Sequence, residues 1–214
     1  MSLLNEVQKR MLQTILGRGA EGASQAISRW IGEPVRLLPG EVEQVELAAA
    51  AEALGPPEGL VAACLMGLTG PLGGSILLCF EDRAGLALVD LLLRQPIGTT
   101  TEWGEVERSA AMETANIVGC AYLNALAAHL PSSLGTTTAG ELAPTPPVFF
   151  HEFAGSLLQF ALINQALDLD KVLLVRTTFE TGGAGARLDW NLLFIPDAPS
   201  LAALATALAG GDAA

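Results

Sequence analysis

From Glu102 to Leu130 the chain contains no proline and, past its opening turn, a single glycine. A run of that kind predicts one long helix, with Thr101 as its cap and Gly104 and Glu105 in its first turn. Its second half (Ile117, Val118, Cys120, Ala121, Tyr122, Leu123, Ala125, Leu126) is apolar nearly all round, so it must be buried on most sides. Its first half carries Ser109, Glu113 and Asn116, whose spacings of four and three place them on one face. Half of the 214 residues are hydrophobic and 16% are charged, enough apolar surface for such a core.

The remaining elements fall around this helix. Residues 3–30 read as a helix or a broken helix, with Gly17 and Gly19 as the interruption. Pro34–Leu38 is a short strand candidate, and Val45–Leu54 an Ala-rich helix ended by Gly55-Pro56-Pro57. Leu60–Leu68 and Ser75–Phe80 flank Thr-Gly-Pro-Leu-Gly-Gly as a β-hairpin. A helix through Leu93 follows, with Asp82 as its N-cap, and then the linker Gln95–Thr100. Pro131–Thr138 is a loop, Glu141–Val148 at best an edge strand, and Phe150–Leu167 a helix. Lys171–Phe179 and Ala186–Ile195 form a second hairpin around Gly182–Gly185, and Pro199–Leu208 a last helix.

The two halves, about 1–97 and 98–214, repeat one pattern: long helix, short strand, helix, hairpin, helix. This predicts a single α+β domain with a mostly antiparallel sheet and long helices packed on it. The long helices should share one face of that sheet. The apolar half of the 102–130 helix should then cover Leu173, Val175, Leu192 or Phe194, leaving Ser109, Glu113 and Asn116 open to water.

Several function classes drop out. A formal charge of −12 argues against nucleic acid and anionic membrane surfaces as partners. No stretch is apolar for about 18 residues without interruption, and the N-terminus lacks the apolar core of a signal peptide, so the expected location is cytoplasmic. Cys64, Cys79 and Cys120 read as buried free thiols. His129 and His151 have no ligands at metal spacing. Ser132 and Ser133 lack a nucleophile frame, and both glycine-rich tips lie between strands, where hairpin turns are expected and phosphate loops are not. Asn124 reads as a buried side chain bonded to backbone.

Ser109-x-x-x-Glu113-x-x-Asn116, continuing as Ile-Val-Gly-Cys-Ala-Tyr-Leu-Asn-Ala-Leu, resembles the signature helix of the CheC/CheX/FliY phosphatases of bacterial chemotaxis. The resemblance covers nearly the whole chain and implies a duplicated, pseudo-twofold CheC-like α+β fold. It further implies hydrolysis of an aspartyl-phosphate on a CheY-like response regulator. Asn116 would place the attacking water, Glu113 would pair with a lysine beside the phosphate, and Ser109 would support Glu113. No cofactor of its own is implied, since the phosphorylated regulator supplies Mg²⁺. The matching positions of the first helix fall near Thr14 and Gly17, so the resemblance implies one site, in the C-terminal half. The family's proline comes sooner after its Asn; here residues 130–143 look inserted, and Pro147 is the better match. Where His151 or Glu152 falls, the family usually has Asp. The alternative is a non-catalytic adaptor of the same fold that binds a response regulator, a CheD-like deamidase or a flagellar switch component. An unrelated acidic dimeric binding domain is a third reading, and a homodimer is compatible with each.

Overall fold

In the computed structural model, which describes residues 3–129, 141–157, 171–182 and 187–209, the strands form one antiparallel sheet. The elements in chain order are α1 (Glu6–Ile31), β1 (Val35–Glu46), α2 (Leu47–Ala53), β2 (Leu60–Thr69), β3 (Gly74–Glu81), α3 (Asp82–Leu92), α4 (Glu105–Ala127), β4 (Ala143–Pro144), β5 (Val148–Phe153), β6 (Lys171–Thr181), β7 (Arg187–Pro196) and α5 (Ala198–Ala209). The sheet runs β1-β6-β7-β3-β2, with β5 and the short β4 both pairing along β2. Exchanging β1 with β5, β2 with β6 and β3 with β7 leaves this order unchanged. The centre is the β3–β7 pair, in register from Gly74↔Pro196 to Phe80↔Trp190.

Helices cover both faces. The larger core lies under α1, α3, α4 and α5 and includes Leu173, Val175, Leu192 and Phe194 beneath Tyr122, Leu123 and Leu126. The smaller one lies on the other face, with Ala50 and Leu54 of α2 and with Ala154 and Leu157, which begin a further helix. Cys64 belongs to the first core and Cys79 to the second, so these thiols on neighbouring strands point to opposite faces.

Several elements differ from the sequence reading. α1 is unbroken through both Gly17 and Gly19, and Gly19 serves packing instead of interruption. A Cβ on Gly19 would stand 2.9 Å from the Tyr122 Cα, so the missing side chain lets α1 cross α4 closely. α1 opens with an Asn5–Gln8 capping box and closes on Gly32, at φ 85°. β1 runs on through Pro39 to Glu46, its register shifting between Pro39 and Val42. Phe150–Phe153, read as the start of a helix, belongs to the strand Val148–Phe153, and the helix begins only at Ala154. Period-2 pairing with β2 outweighs the helical look of Phe150–Ala154 taken alone. Residues 130–140, 158–170 and the second hairpin tip at 183–186 lie outside the described residues.

β1 is a sheet edge, and α1 covers it with side chains. Ser28 Oγ accepts from the Val35 N–H at 2.8 Å and Ser24 Oγ from the Leu37 N–H at 2.9 Å. Gln13 accepts from the Val42 N–H at 2.8 Å and donates to the Gly40 carbonyl at 2.6 Å. Backbone groups that would otherwise invite another strand are thereby satisfied within the chain. The linker between the halves is pinned by Asp90, wholly buried, whose carboxylate accepts from the N–H groups of Gly98, Thr99 and Thr100 at 2.7, 3.1 and 2.9 Å.

The glycines of α1 give a paired prediction. Gly19→Ala should cost about 1–3 kcal/mol, because backbone and ring of Tyr122 stand in the way. Gly17→Ala, where nothing lies within 4 Å of the added carbon, should stabilise by about 0.5–1 kcal/mol through helix propensity. Urea unfolding of the two variants separates these outcomes.

Burial also sets an alkaline limit. It pushes Cys64 and Cys79 from 9.0 up to about 12, and Tyr122 from 10.0 up to about 12 with Thr177 opposing the rise. Between roughly pH 9 and 12 the folded state keeps protons that the unfolded state loses. Stability is therefore full below about pH 9 and declines as pH rises toward 12. Cys79→Ala should flatten this decline when unfolding free energy is followed from pH 8 to 11.

Candidate functional site

α4 begins without a side-chain cap. Its N-cap is Gly104, and Thr101, the cap expected from sequence, lies outside the helix. The entry is held instead by Trp103, whose buried indole donates from Nε1 to Asp82 Oδ1 at 2.8 Å. His151 Nε2 donates to the same oxygen at 2.8 Å, and the Trp103 ring lies against Phe149 and His151 at centroid distances of 5.0 and 6.2 Å. Arg108 donates from Nε to the Trp103 carbonyl at 2.9 Å and lies over the Phe149 ring. Asp82 is therefore a tie between α3, β5 and the start of α4. The cap of α3 is Glu81, whose side chain accepts from the Ala84 N–H.

From this anchored start, Ser109, Glu113 and Asn116 fall on one side of α4, and the same stripe continues through Cys120 to Asn124. Ser109, Glu113 and Asn124 are exposed, and Asn116 and Cys120 are half-buried. The exposure of Asn124 corrects its reading as a buried residue. The hydroxyl of Ser109 donates to the Glu105 carbonyl at 2.8 Å, back along its own helix. It does not hold Glu113, which corrects the support assigned to it. Glu113 makes no hydrogen bond or ion pair among the described residues. Asn116 Oδ1 accepts from Cys120 Sγ at 3.6 Å. Burial first, and the Glu113 carboxylate second, push the Cys120 thiol above its ordinary value. Cys120 is thus kept in its unreactive protonated form.

Asn116 opens into a groove between α1 and α4, floored by small residues such as Gly22, Ala26, Ala121 and Ala125. Arg18 of α1 crosses it. Its Nη1 donates to His129 Nε2 at 2.6 Å, while His129 Nδ1 donates to the Ala125 carbonyl at 2.8 Å. The pair of bonds fixes the neutral His129 tautomer with its proton on Nδ1. Thr14 is exposed and its hydroxyl donates to the Arg10 carbonyl at 3.1 Å. The groove therefore has the carboxamides of Asn116 and Asn124 on the α4 side and a guanidinium on the α1 side, with Glu113 on the same face of α4 one turn before Asn116. Among the described residues no group of three or more His, Cys, Asp or Glu is placed to hold a metal ion. No helix among them is long and apolar enough to cross a membrane.

No family model matches the chain. Solved structures do. FliY of Thermotoga maritima superimposes with a TM-score of 0.77 at 16% identity, over 97% of this chain and 98% of that one. The chain has the CheC/FliY fold. The FliM middle domain of H. pylori shares this fold, with a TM-score of 0.69 at 14% identity over 95% of this chain and 99% of that one. So does a chain of the H. pylori FliG–FliM complex, at 0.65 and 15% identity over 93% and 100%. These likenesses extend over both halves of the molecule, so the CheC/FliY fold accounts for the sheet, the two long helices and the groove between them.

The His151–Asp82–Trp103 cluster and Arg18 escaped the sequence reading. Asp82 and His151 are far apart in the chain, and only the β2–β5 pairing brings β5 to the start of α3. Asp82→Ala should cost about 1–3 kcal/mol, because the buried Trp103 N–H loses its acceptor. Ser109→Ala and Glu113→Ala should stay within roughly 0.5 kcal/mol of the parent protein. Thermal unfolding of the three variants distinguishes an anchor from an open face.

Proposed function

We propose that the protein is a phosphatase of the CheC/CheX/FliY type, which hydrolyses the aspartyl-phosphate of a CheY-like response regulator at one site on α4. One observation carries the reading. Glu113 and Asn116 stand three residues apart, both reachable from solvent, on a helix whose ends are anchored. An acyl phosphate already has a good leaving group, so water placement is the main task left to a partner. The Asn116 carboxamide can accept from and donate to one water without repelling phosphate. Glu113, free of other ties, can pair with a lysine on the regulator and set the docking geometry. In this reading Mg²⁺ comes with the regulator, and Ser109 contributes surface without touching the reacting atoms.

A second reading has its own support. The FliM middle domain matches the same fold over nearly the whole chain, and the H. pylori FliM structures include complexes with FliG and with SpeE. A non-catalytic switch component or adaptor would use the α1–α4 face as a docking surface alone. A CheD-like deamidase or a second copy of the chain could meet the same surface.

Turnover separates the two. The protein is incubated with a phosphorylated CheY-like regulator and Mg²⁺, and loss of phosphate is followed. Asn116→Ala should lower the rate by about 100-fold or more with thermal stability almost unchanged. Glu113→Ala should raise the regulator concentration needed while leaving residual turnover at saturation. Thr14→Ala should leave the rate intact. Binding without acceleration by the unaltered protein would establish the adaptor instead. Unfolding by Asn116→Ala would mark that side chain as structural.

A further inference from the structure

The groove between α1 and α4 carries a charge at odds with the rest of the chain. The sequence holds 23 acidic and 11 basic residues, yet no Asp or Glu lines this groove, and Arg18 does. Its other polar side chains are the carboxamides of Asn116 and Asn124, the Cys120 thiol and the His129 ring. Arg18 is exposed but held in place. Its Nη1 donates to His129 Nε2 at 2.6 Å, and His129 is itself fixed through Nδ1 to the Ala125 carbonyl at 2.8 Å. The acceptor is a neutral ring, so the bond orients the guanidinium and leaves its charge whole. The ion pairs among the described residues use Lys9, His151, Lys171 and Arg176 as their cations, and Arg18 is in none of them. One bond to His129 also leaves most of the five N–H donors of its rigid fork unused. A cation aimed in advance and not neutralised suits the capture of an anion, because less freedom is lost when the partner arrives.

The anion is not the phosphoryl group that faces Asn116. Ala125, where the His129–Arg18 pair is tied down, lies nine residues beyond Asn116 on α4. At 1.5 Å per residue that is roughly 13 Å along the helix, whereas a water held by Asn116 attacks a phosphorus about 3 Å away. A guanidinium resting on His129 therefore meets a different group of the same partner. We propose that Arg18, set in place by His129, takes a carboxylate side chain on the surface of the CheY-like regulator, while Asn116 faces the phosphate at the other end of the groove. The identity of the partner rests on the phosphatase reading above. Arg18 is then a docking and specificity residue supplied by the first long helix, whose own matching positions are Thr14 and Gly17. His129 is its positioning residue. Neither touches the reacting atoms, so the pair sets the concentration at which the regulator binds and not the rate once it is bound.

The test follows binding and turnover of a CheY-like regulator, with Mg²⁺, by the intact protein. Arg18→Gln should raise Kd about tenfold for both the phosphorylated and the unphosphorylated regulator, with kcat at saturation within about twofold of the parent. Added NaCl should weaken binding by the unaltered protein more steeply than binding by Arg18→Gln. His129→Ala should raise Kd alone and add little in the Arg18→Gln background. In unaltered protein labelled with ¹⁵N-arginine, the Arg18 Nε–H resonance should shift on adding regulator, which decides the matter if a variant does not fold. A penalty confined to the phosphorylated form would make the phosphoryl group the ligand and overturn the proposal. A fall in kcat at saturation as large as that expected for Asn116→Ala would overturn it too. Unchanged Kd and salt dependence in Arg18→Gln, with binding and turnover by the unaltered protein intact, would sink the proposal and leave the phosphatase reading standing. A regulator that neither binds nor loses phosphate with the unaltered protein would sink both.

Discussion

The antiparallel pairing of β3 with β7 is the contact on which the rest depends. It joins the two halves, and each strand is buried along nearly its whole length, Ser75–Phe80 on one side and Trp190 with Leu192–Pro196 on the other. Such strands read as continuous apolar runs without the alternation typical of antiparallel sheets that face water. The cause is the cover on both faces. Side chains pointing one way, such as Ile76, Leu78 and Phe80, enter the core under α1 and α4, and those pointing the other way, Leu77 and Cys79, enter the core under α2. The hydrophobic half of the composition is the material for two cores instead of one.

That arrangement explains which parts of the fold were legible. The first hairpin was, because Gly70 and Gly74 both take positive φ at the ends of its turn, and flanking apolar runs can only be buried strands. The two long helices were, from proline-free apolar periodicity. β5 was not. Val148–Phe153 carries three aromatics and no alternation, and it becomes a strand only because β2 offers it a paired edge. β1 was cut short for a related reason. Pro39 and Gly40 signal a stop locally, yet an edge strand with a bulge tolerates both. Long-range pairing overruled local signals at each of these places.

In the site, placement was legible and hydrogen bonding was not. Spacing alone puts Ser109, Glu113 and Asn116 on one helical face. It does not reveal that a serine in a helix returns its proton to the carbonyl four residues back, as Ser109, Ser24, Ser28 and Thr14 all do here. Nor does it show that Asp82 leaves the capping role to Glu81 and ties Trp103 to His151. A residue expected to cap was drawn into a partnership that only the tertiary fold creates.

The two long helices finally differ in what their polar side chains are spent on. In α1 the polar side chains Gln8, Gln13, Ser24 and Ser28 bond outward to other elements: Gln8 to the Ala205 carbonyl, and the other three to the edge of β1. Removing any of them strands a backbone group, so this set is committed to structure. In α4 the corresponding labour falls to its ends, through Trp103 at the start and His129 at the finish. Between them Ser109 and Asn116 bond only within the helix, and Glu113 and Asn124 bond to nothing among the described residues. A carboxylate and carboxamides held free on a rigidly anchored helix contribute almost nothing to folding, which leaves them open to a role in recognition or chemistry. α1 stabilises the sheet, and α4 is the helix with side chains to offer a partner. The Arg18 that reaches across from α1 gives the groove a cationic wall opposite them. The groove thus sets the carboxamides of Asn116 and Asn124 on one wall against the Arg18 guanidinium on the other, a pairing of neutral donors and acceptors with a fixed positive charge.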